Sequence, residues 1–251
     1  MKVGNDECGV VLITGASRRI GASISKKFHA QGFKVIIHFN QSSAEANHLC
    51  DELNADRPGS AAALQADLTC EQQVTTLAEQ TLKCFGALDV LVNNASGFYP
   101  TPFGSVTSSQ WHDLMDSNLK AAFFLSQALS EPLKERNGTI VNLIDIYADK
   151  PLKNYSAYCI AKAGLQAMTR ALAVELAPQV RVNGVSPGAI LWVNDPASTQ
   201  LDGKNEILKS TPLGKTGAPA DIAEAVFFLA VKASYITGEI LRVDGGRALN
   251  L

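Results

Sequence analysis

Short apolar runs alternate with longer helix-like segments along the whole chain. Near-continuous apolar runs are typical of strands buried in a parallel sheet whose two faces are covered by helices. The predicted strands are VVLIT (10–14), KVIIHF (34–39), AAALQA (61–66), DVLVNN (89–94), TIVNLI (139–144), VRVNGVS (180–186) and EILRVDG (239–245). The predicted helices lie near 20–31, 43–55, 71–85, 108–130, 156–176 and 219–231. The pattern therefore predicts an α/β fold with a doubly wound parallel sheet.

Length and patterning predict a single domain over residues 1–251, because a chain of this size buries one large core and shows no repeat or linker. The irregular stretch at 187–218 is too long for an ordinary loop. Long loops beside strand ends are often lids or substrate loops. We therefore expect a substrate loop near 189–215.

Composition argues against several classes of partner. The formal net charge is -2, whereas a nucleic-acid-binding protein would need a basic patch or stripe. No apolar run approaches the ~20 residues that span a bilayer, and the first residues do not resemble a signal peptide. The five cysteines are scattered and never spaced C-x-x-C, which indicates reduced thiols rather than a zinc site or disulfides. We expect a cytoplasmic protein without a nucleic-acid, membrane or metal partner.

A glycine-containing turn follows the first predicted strand. Its sequence, TGASRRIG (14–21), leads directly into the first predicted helix. Glycines let backbone N–H groups approach a pyrophosphate, and the N-terminus of a helix favours an anion. The turn suggests dinucleotide binding, and a plain strand-to-helix turn is the alternative.

The residues after the second strand indicate which dinucleotide binds. An NAD site would place an acidic residue there for the adenosine ribose, and HFNQS (38–42) has none. Arg18 and Arg19 stand in the glycine turn and favour NADPH, which carries a 2′-phosphate. Solvated surface charge is the alternative for both arginines. Asp67 and Leu68, after the third strand, either contact the adenine or cap the next helix.

A tyrosine and a lysine at helical spacing follow the fifth strand. Tyr158 and Lys162 are four residues apart and share one helix face. The lysine is expected to lower the pKa of the phenol from ~10 and so prepare it for proton exchange near neutral pH. The carboxyl edge of such a sheet is also where ligands bind. Thirteen residues before the tyrosine, where a carbonyl-reducing site of this layout would have serine, stands Asp145.

Further motifs accompany these residues in a fixed order. The full set is TGASRRIG, Asp67-Leu68, NNAS (93–96), Asn118, the Tyr158–Lys162 pair, RVNGVSPG (181–188) and VDGG (243–246). With these motifs the chain resembles the short-chain dehydrogenases/reductases over essentially its whole length. The resemblance implies a seven-stranded Rossmann fold and an Asn–Ser–Tyr–Lys catalytic set. Asn118, Tyr158 and Lys162 match that set, and Asp145 stands in place of its serine.

Departures from the broad family pattern indicate one branch. Arg19 replaces the middle glycine of the turn, and Asp145 replaces the serine. The accompanying features are Phe98 and Tyr99 after NNAS, His38, and the SPGAILWVNDP loop (186–196). Together they resemble the pteridine reductases, which use NADPH to reduce biopterin- and folate-type rings and stack an aromatic residue on the pterin. Gln41 stands where the best-known members have arginine, so we expect a less strict cofactor preference.

The resemblance assigns roles to residues at matching positions. The implied catalytic residues are Asp145, Tyr158, Lys162 and Asn118. The implied cofactor-binding residues are Gly15, Ser17, Arg18, Arg19, Ile20, His38, Asn40, Ser42, Asp67, Leu68, Asn94, Ala95, Ser96, Tyr158, Lys162, Pro187 and Gly188. The implied substrate-binding residues are Arg19, Ser96, Phe98, Asp145, Tyr158 and Trp192. The resemblance also implies a homotetramer that packs the helices near 108–130 and 156–176 and the last strand between subunits.

The carboxylate of Asp145 suits a nitrogen heterocycle better than a ketone. It accepts hydrogen bonds from ring and amino N–H groups, but it would oppose the negative charge that grows on a ketone oxygen. The leading expectation is therefore reduction of a C=N bond in a pterin or folate ring. A carbonyl reductase, for example one for 3-oxoacyl carrier protein, and a catalytically silent NADP-binding sensor are the alternatives. Asp145 also fits a strand-end carboxylate bonded to backbone N–H groups, and Phe98 also fits ordinary core packing.

Overall fold

The computed structural model describes residues 9–190 and 204–250, and for 204 and 205 the backbone alone. Within these ranges seven strands form one sheet in the order β3-β2-β1-β4-β5-β6-β7, and every pairing is parallel. The strands are β1 Val10–Ile13, β2 Lys34–Phe39, β3 Ala61–Gln65, β4 Val90–Asn93, β5 Thr139–Leu143, β6 Arg181–Pro187 and β7 Ile240–Val243. This confirms the predicted α/β Rossmann fold.

Helices connect the strands and cover both faces of the sheet. They are α1 Arg19–Ala30, α2 Ser43–Asp56, α3 Glu71–Phe85, α4 Ser108–Met115, α5 Ala121–Ala128, α6 Ser130–Glu135, α7 Ser156–Glu175, α8 Lys204–Ser210 and α9 Pro219–Phe227. Short 3₁₀ turns span Ile146–Ala148 and Arg247–Leu249, and π-helical turns span Asp116–Lys120 and Phe228–Lys232. In the ranges that the structure describes, no helix has the length and apolar character to cross a membrane.

The helix predicted near 108–130 is interrupted, because a π-helical turn at Asp116–Lys120 separates α4 from α5. In this turn the Asn118 amide donates hydrogen bonds to the carbonyl oxygens of Leu114 (2.9 Å) and Gly97 (3.0 Å). Turns of this kind often occur at functional sites, and hydrophobic periodicity gives no signal for them. The prediction of one continuous helix was therefore wrong at a position that the site uses.

The irregular stretch at 187–218 contains α8, a helix that the apolar pattern did not predict. Within the substrate loop expected near 189–215, residues 191–203 lie outside the described residues. The loop therefore stays a prediction.

The sheet is buried on both faces because successive side chains of a strand point to opposite sides. In β1, Val11 and Ile13 belong to an apolar cluster that includes Phe28 of α1, whereas Leu12 packs on the other face with residues that include Leu77 of α3. Burying each of these side chains contributes about 1.5–3 kcal/mol. The near-continuous apolar runs of the sequence thus correspond to strands covered by two helical layers.

The order in which the chain adds strands to the sheet reverses at β1. From β1 the chain continues to β2 and β3 on one side, and then returns to β4, which lies on the other side of β1. In open parallel sheets this reversal leaves a crevice at the carboxyl ends of the strands, where ligands bind. The sheet therefore places a crevice directly beyond Ile13 and Asn93, the last residues of β1 and β4.

Candidate active site

A cleft with a volume of about 590 Å³ opens at this crevice. Its walls come from the segments that follow β1, β2, β3 and β4, together with the region where α4 meets the π-helical turn. The predicted cofactor residues that line it are Gly15, Ser17, Arg18, Arg19, Ile20, His38, Asn40, Ser42, Asp67, Leu68, Asn94, Ala95 and Ser96. The structure thus brings together residues from four separate segments of the chain.

The glycine turn packs closely against the segment after β4. Gly15 has a φ of 59°, and a Cβ atom built on it would lie 3.0 Å from the Cα of Ala95. A Cβ atom on Gly21 would lie 2.3 Å from the carbonyl oxygen of Gly15. The Thr14 hydroxyl accepts hydrogen bonds from the backbone N–H groups of Asn94 and Ala95, both at 2.9 Å. Only glycine fits at these two points.

Arg19 occupies a left-handed conformation that glycine adopts without strain. Its φ is 51°, at the first residue of α1. A non-glycine residue in this region costs on the order of 1 kcal/mol or more, and such strain is concentrated at ligand-binding sites. This backbone angle explains why the broad family pattern has glycine at this position. The arginine is kept at the expense of local strain, beside the cleft.

His38 shapes the cleft through the backbone. Its Nδ1 accepts a hydrogen bond from the Gly15 N–H (3.1 Å), and its Nε2 lies 3.0 Å from the carbonyl oxygen of Ala66, to which it donates. Burial lowers the pKa of the ring to about 4, so the imidazole is neutral at pH 7. His38 therefore lines the cleft, as predicted, while both of its nitrogens are bonded to the backbone.

Asp145, Tyr147 and Tyr158 form a hydrogen-bonded group beyond the end of β5. The Tyr158 hydroxyl donates to Oδ2 of Asp145 at 2.7 Å, and the Tyr147 backbone N–H donates to Oδ1 of Asp145 at 2.9 Å. The expectation of a strand-end carboxylate bonded to backbone N–H groups is therefore met by one oxygen only. The other oxygen faces the tyrosine that stands thirteen residues later in the sequence.

Lys162 lies beneath the tyrosine ring. It is buried, its Nζ donates to the carbonyl oxygen of Leu143 (2.9 Å), and the same nitrogen lies 5.7 Å from the centroid of the Tyr158 ring. Burial lowers the pKa of Lys162 to about 8, although the nearby Asp145 carboxylate acts in the opposite direction. The ammonium thus contacts the ring and a backbone carbonyl rather than the hydroxyl.

The pKa of Tyr158 differs from the expectation. Burial raises it well above the usual value, and the Asp145 carboxylate raises it further, both by its charge and by accepting the hydrogen bond. Burial likewise raises the pKa of Asp145, against the effect of the Tyr147 N–H, the Tyr158 hydroxyl and the charges of Lys162 and Arg247. The predicted lowering of the tyrosine pKa by Lys162 was therefore wrong: the phenol keeps its proton.

Asn118 connects to this group through Ser96. The Asn118 side-chain oxygen accepts a hydrogen bond from the Ser96 hydroxyl at 2.7 Å. Ser96 is also close enough to Tyr158 for its hydroxyl to act to lower the pKa of the phenol. The four predicted catalytic residues are thus placed around one site, and Ser96 joins Asn118 to the tyrosine.

The sequence also matches a family model over almost its whole length. The family described as Enoyl-(Acyl carrier protein) reductase matches residues 15–248. The chain belongs to the short-chain dehydrogenase/reductase family. It is 38% identical to pteridine reductase 1 of Leishmania tarentolae, with 96% of each chain covered. It is 35% identical to 3-oxoacyl-acyl-carrier-protein reductase FabG of Staphylococcus aureus (strain Mu50 / ATCC 700699), with 94% of this chain and 96% of the relative covered.

This short-chain dehydrogenase/reductase is an oxidoreductase, and enzymes of its family use a nicotinamide cofactor. The two relatives act on different substrates by name, and their identities to this chain differ by only three percentage points, from 38% to 35%. Overall similarity therefore establishes the class of reaction, and the choice between substrates depends on individual residues of the site.

Phe98 lies beside Tyr158 and is not among the described residues that line the cleft. Its side chain is 44% exposed, which rules out ordinary core packing. Its ring stacks on Tyr155 with centroids 4.6 Å apart and meets the edge of Tyr158 at 4.8 Å. One face of Phe98 is therefore already covered by Tyr155. Tyr155 has no lysine one turn later, so no sequence motif marks it as part of the site.

The other predicted site residues either do not line the cleft or lie outside the described residues. Pro187 and Gly188 are at the end of β6, and neither is among the described residues that line the cleft. Trp192 lies outside the described residues. Tyr158 and Lys162 are beside the cleft rather than in its wall.

Some lining residues were missed by the sequence analysis. Gly21, Phe39, Thr69 and Gly97 are immediate neighbours of predicted residues. Asp113 and Ser117 come from α4 and the π-helical turn, where no motif signals them. Asp113 is anchored by the Tyr99 hydroxyl, which donates to its Oδ2 at 2.7 Å. Asp113 and Ser117 are one helical turn apart, and Ser117 directly precedes Asn118. This spacing is their only signal in the sequence.

Replacing His38 with glutamine should weaken the pH dependence of stability. In the folded protein the pKa of His38 is lowered to about 4, so the unfolded chain, with a pKa near 6.5, binds the proton first as the pH falls. The stability that neutral His38 provides is complete above about pH 6.5 and is lost toward about pH 4. We expect the wild type to lose about 2 kcal/mol more than His38→Gln between about pH 7 and about pH 4.5.

Urea unfolding of the two proteins across this pH range measures the difference. His29 is also buried with a lowered pKa, but both proteins contain it and its contribution cancels. Parallel stability curves for the wild type and His38→Gln would contradict the assignment of a neutral, backbone-bonded His38.

Proposed function

We propose that this short-chain dehydrogenase/reductase is an NADPH-dependent pteridine reductase that reduces a C=N bond of a pterin or folate ring. The observation that carries the proposal is the 2.7 Å hydrogen bond from the Tyr158 hydroxyl to the Asp145 carboxylate. A carboxylate at this point accepts hydrogen bonds from amino and ring N–H groups. A ketone would instead place its developing negative charge next to it.

The cleft fits a dinucleotide. Gly15 and Gly21 line the cleft, and their close packing against neighbouring backbone forms the tight turn that a pyrophosphate site requires. After β2 the cleft is lined by Asn40, Gln41 and Ser42, with no carboxylate among these three residues. Arg18 lines the same end. This set suits a 2′-phosphate better than a bare ribose hydroxyl pair.

The residues of the site would work as follows. When bound, NADPH supplies a hydride to the carbon of the C=N bond. Tyr158, protonated because its pKa is raised, donates its hydroxyl proton to the neighbouring nitrogen. Asp145 orients that hydroxyl and accepts hydrogen bonds from the ring. Lys162 would bind the nicotinamide ribose from its position beneath the tyrosine ring.

Reprotonation of the phenol would use the Ser96–Asn118 pair. The Ser96 hydroxyl would give its proton to the phenolate and regain one from a solvent water, while the Asn118 amide oxygen, which only accepts, holds that hydroxyl in place. Phe98 is exposed enough to hold the flat ring of a pterin, and its stack on Tyr155 fixes its orientation. In the second route, a water that is hydrogen-bonded to Asp145 delivers the proton to the nitrogen and is reprotonated from solvent.

A homotetramer in the cytoplasm, with a substrate loop near 189–215 in a single domain, is part of the same proposal. An apolar groove of about 400 Å³ supports the first of these features. It lies on the helices that the family resemblance implies at subunit contacts, and it is lined by Met115, Leu119, Lys120, Phe123, Phe124, Met168, Ala171, Leu172 and Glu175.

The competing function is a carbonyl reductase, favoured by the 35% identity to the 3-oxoacyl-acyl-carrier-protein reductase. Following NADPH oxidation with dihydrobiopterin, dihydrofolate and a 3-oxoacyl thioester separates the two. We expect turnover of a dihydropterin or of dihydrofolate. Turnover of the thioester alone would show that the carbonyl reductase is the right assignment.

Replacing Asp145 with serine should distinguish the two functions within one active site. Serine restores the broad family pattern, so a carbonyl reductase would tolerate the change or gain activity from it. A pteridine reductase should lose about 100-fold or more in kcat/KM, because a positioned acid–base group contributes about that much. Asp149→Ser is the matched control, since Asp149 bonds Gln166 and Arg242 away from Tyr158. An Asp145→Ser enzyme with full pterin activity would exclude the proposed role.

Glu45 should weaken the preference for NADPH. Its carboxylate lies 3.5 Å from the guanidinium of Arg18, which lines the cleft, and both side chains are exposed. Glu45→Gln is expected to tighten binding of adenosine 2′,5′-bisphosphate by roughly threefold at low salt, while binding of 5′-AMP changes little, because only the former carries a 2′-phosphate. Titration calorimetry measures both affinities without turnover.

The control for this experiment lies on the same helix. Glu52 pairs with Lys26 at 2.7 Å, so Glu52→Gln removes the same charge from α2 without touching Arg18. Equal effects of Glu45→Gln and Glu52→Gln would show that net charge, rather than competition for Arg18, sets the affinity.

A further inference from the structure

Arg247 is a buried cation that the proposed reaction does not use. Its side chain is 7% exposed, in the 3₁₀ turn Arg247–Leu249 after β7. Its Nη2 lies 3.4 Å from the Tyr147 hydroxyl, and its Nε has no hydrogen-bond partner within the described part of the chain. Buried arginines are rare unless they are paired with a charge or a hydrogen-bonding network. The position of this guanidinium therefore requires an explanation.

The explanation begins with the neighbours of Arg247. Tyr147 follows Asp145 by two residues, and its backbone N–H holds one oxygen of that carboxylate. The charge of Arg247 acts on both, lowering the pKa of Asp145 and that of Tyr147 against the larger effect of burial. The guanidinium is thus close enough to Asp145 to stabilise its carboxylate electrostatically.

The turn that carries Arg247 is held firmly. The Asp244 carboxylate accepts hydrogen bonds from the backbone N–H groups of Gly246 and Ala248, both at 2.8 Å. Gly245 and Gly246 have φ values of 63° and 82°, and a Cβ atom on Gly245 would lie 2.8 Å from Cγ2 of Thr211. The VDGG motif therefore acts as a tight turn that sends the next side chain into the protein.

The other groups that face Asp145 do not provide a positive charge at every pH. They are the Tyr147 N–H, the Tyr158 hydroxyl and Lys162. The first two are neutral donors, and the pKa of Lys162 is lowered to about 8 by burial, so its charge is lost as the pH rises through that value. A guanidinium remains charged at every pH at which the protein is folded. Arg247 is thus the permanent cation beside this carboxylate among the groups that face it.

We propose that Arg247 is a positioning residue that keeps Asp145 ionised and oriented toward Tyr158. The inference rests on the proposed function only where it takes Asp145 to act in the reaction. The electrostatic role itself concerns the protein without substrate or cofactor, and can be measured there.

The test is a ¹³C NMR titration of the aspartate carboxyl carbons in the full chain, with Asp145→Asn used to assign the signal. In Arg247→Gln we expect the Asp145 carboxyl to titrate higher than in the wild type by about one pH unit, because a nearby cation favours the carboxylate. Arg247→Lys restores a positive charge and should return the titration toward that of the wild type. The acidic limb of kcat/KM should move to higher pH in Arg247→Gln, in the same direction as the NMR signal.

Arg242→Gln is the matched control. Arg242 lies on β7, is exposed, and pairs with Asp149 at 3.2 Å, so its removal changes the net charge equally near the same segment. The proposal is overturned if Asp145 titrates at the wild-type pH in Arg247→Gln, or if Arg242→Gln shifts it as much. A chain that does not reduce pterins but shows the shift would refute only the proposed function.

A second variant covers the case in which Arg247→Gln does not fold. The Asp145→Asn/Arg247→Gln double variant should then fold, because a neutral amide no longer needs the cation. Circular dichroism melting curves report this rescue. A double variant that stays unfolded would show that Arg247 serves packing alone and would overturn the proposal.

Discussion

The hydrogen bond between the Tyr158 hydroxyl and the Asp145 carboxylate sets the requirements for the surrounding structure. A partly buried carboxylate is stable only if donors and positive charge surround it. The Tyr147 N–H, the Tyr158 hydroxyl, Lys162 and Arg247 meet this need from three segments: the turn after β5, helix α7 and the turn after β7. The bond also keeps the phenol protonated, so the site stores a proton rather than a phenolate.

The parallel sheet makes this convergence possible. The carboxyl ends of all seven strands lie at one edge, so residues that follow β1, β4, β5 and β7 meet although they are far apart in the chain. Beside the reversal of strand order the edge forms the cleft, and beside β5 it carries the hydrogen-bonded pair of Asp145 and Tyr158. The π-helical turn at Asn118 and the Ser96 hydroxyl connect these two parts.

The strands and most helices could be predicted from the sequence, because burial on two faces leaves a continuous apolar run and motif order identifies the family. The lining of the cleft by Gly15, Arg18 and Ser42 could be predicted for the same reason. The direction of the Tyr158 pKa could not, because it depends on which neighbour the hydroxyl faces after folding. Arg247 gave no local signal either, since its partners lie about a hundred residues earlier.

The left-handed conformation of Arg19 has a consequence for how this position can change by mutation. Every arginine codon is one base substitution away from a glycine codon, and glycine would adopt the same φ without strain. Mutation therefore reaches the conformationally relaxed residue easily, and folding stability alone would favour it. Arg19 is therefore explained by the contacts of its side chain and not by its backbone. Replacing it with glycine is thus a simple way to separate its effect on the fold from its effect on a ligand.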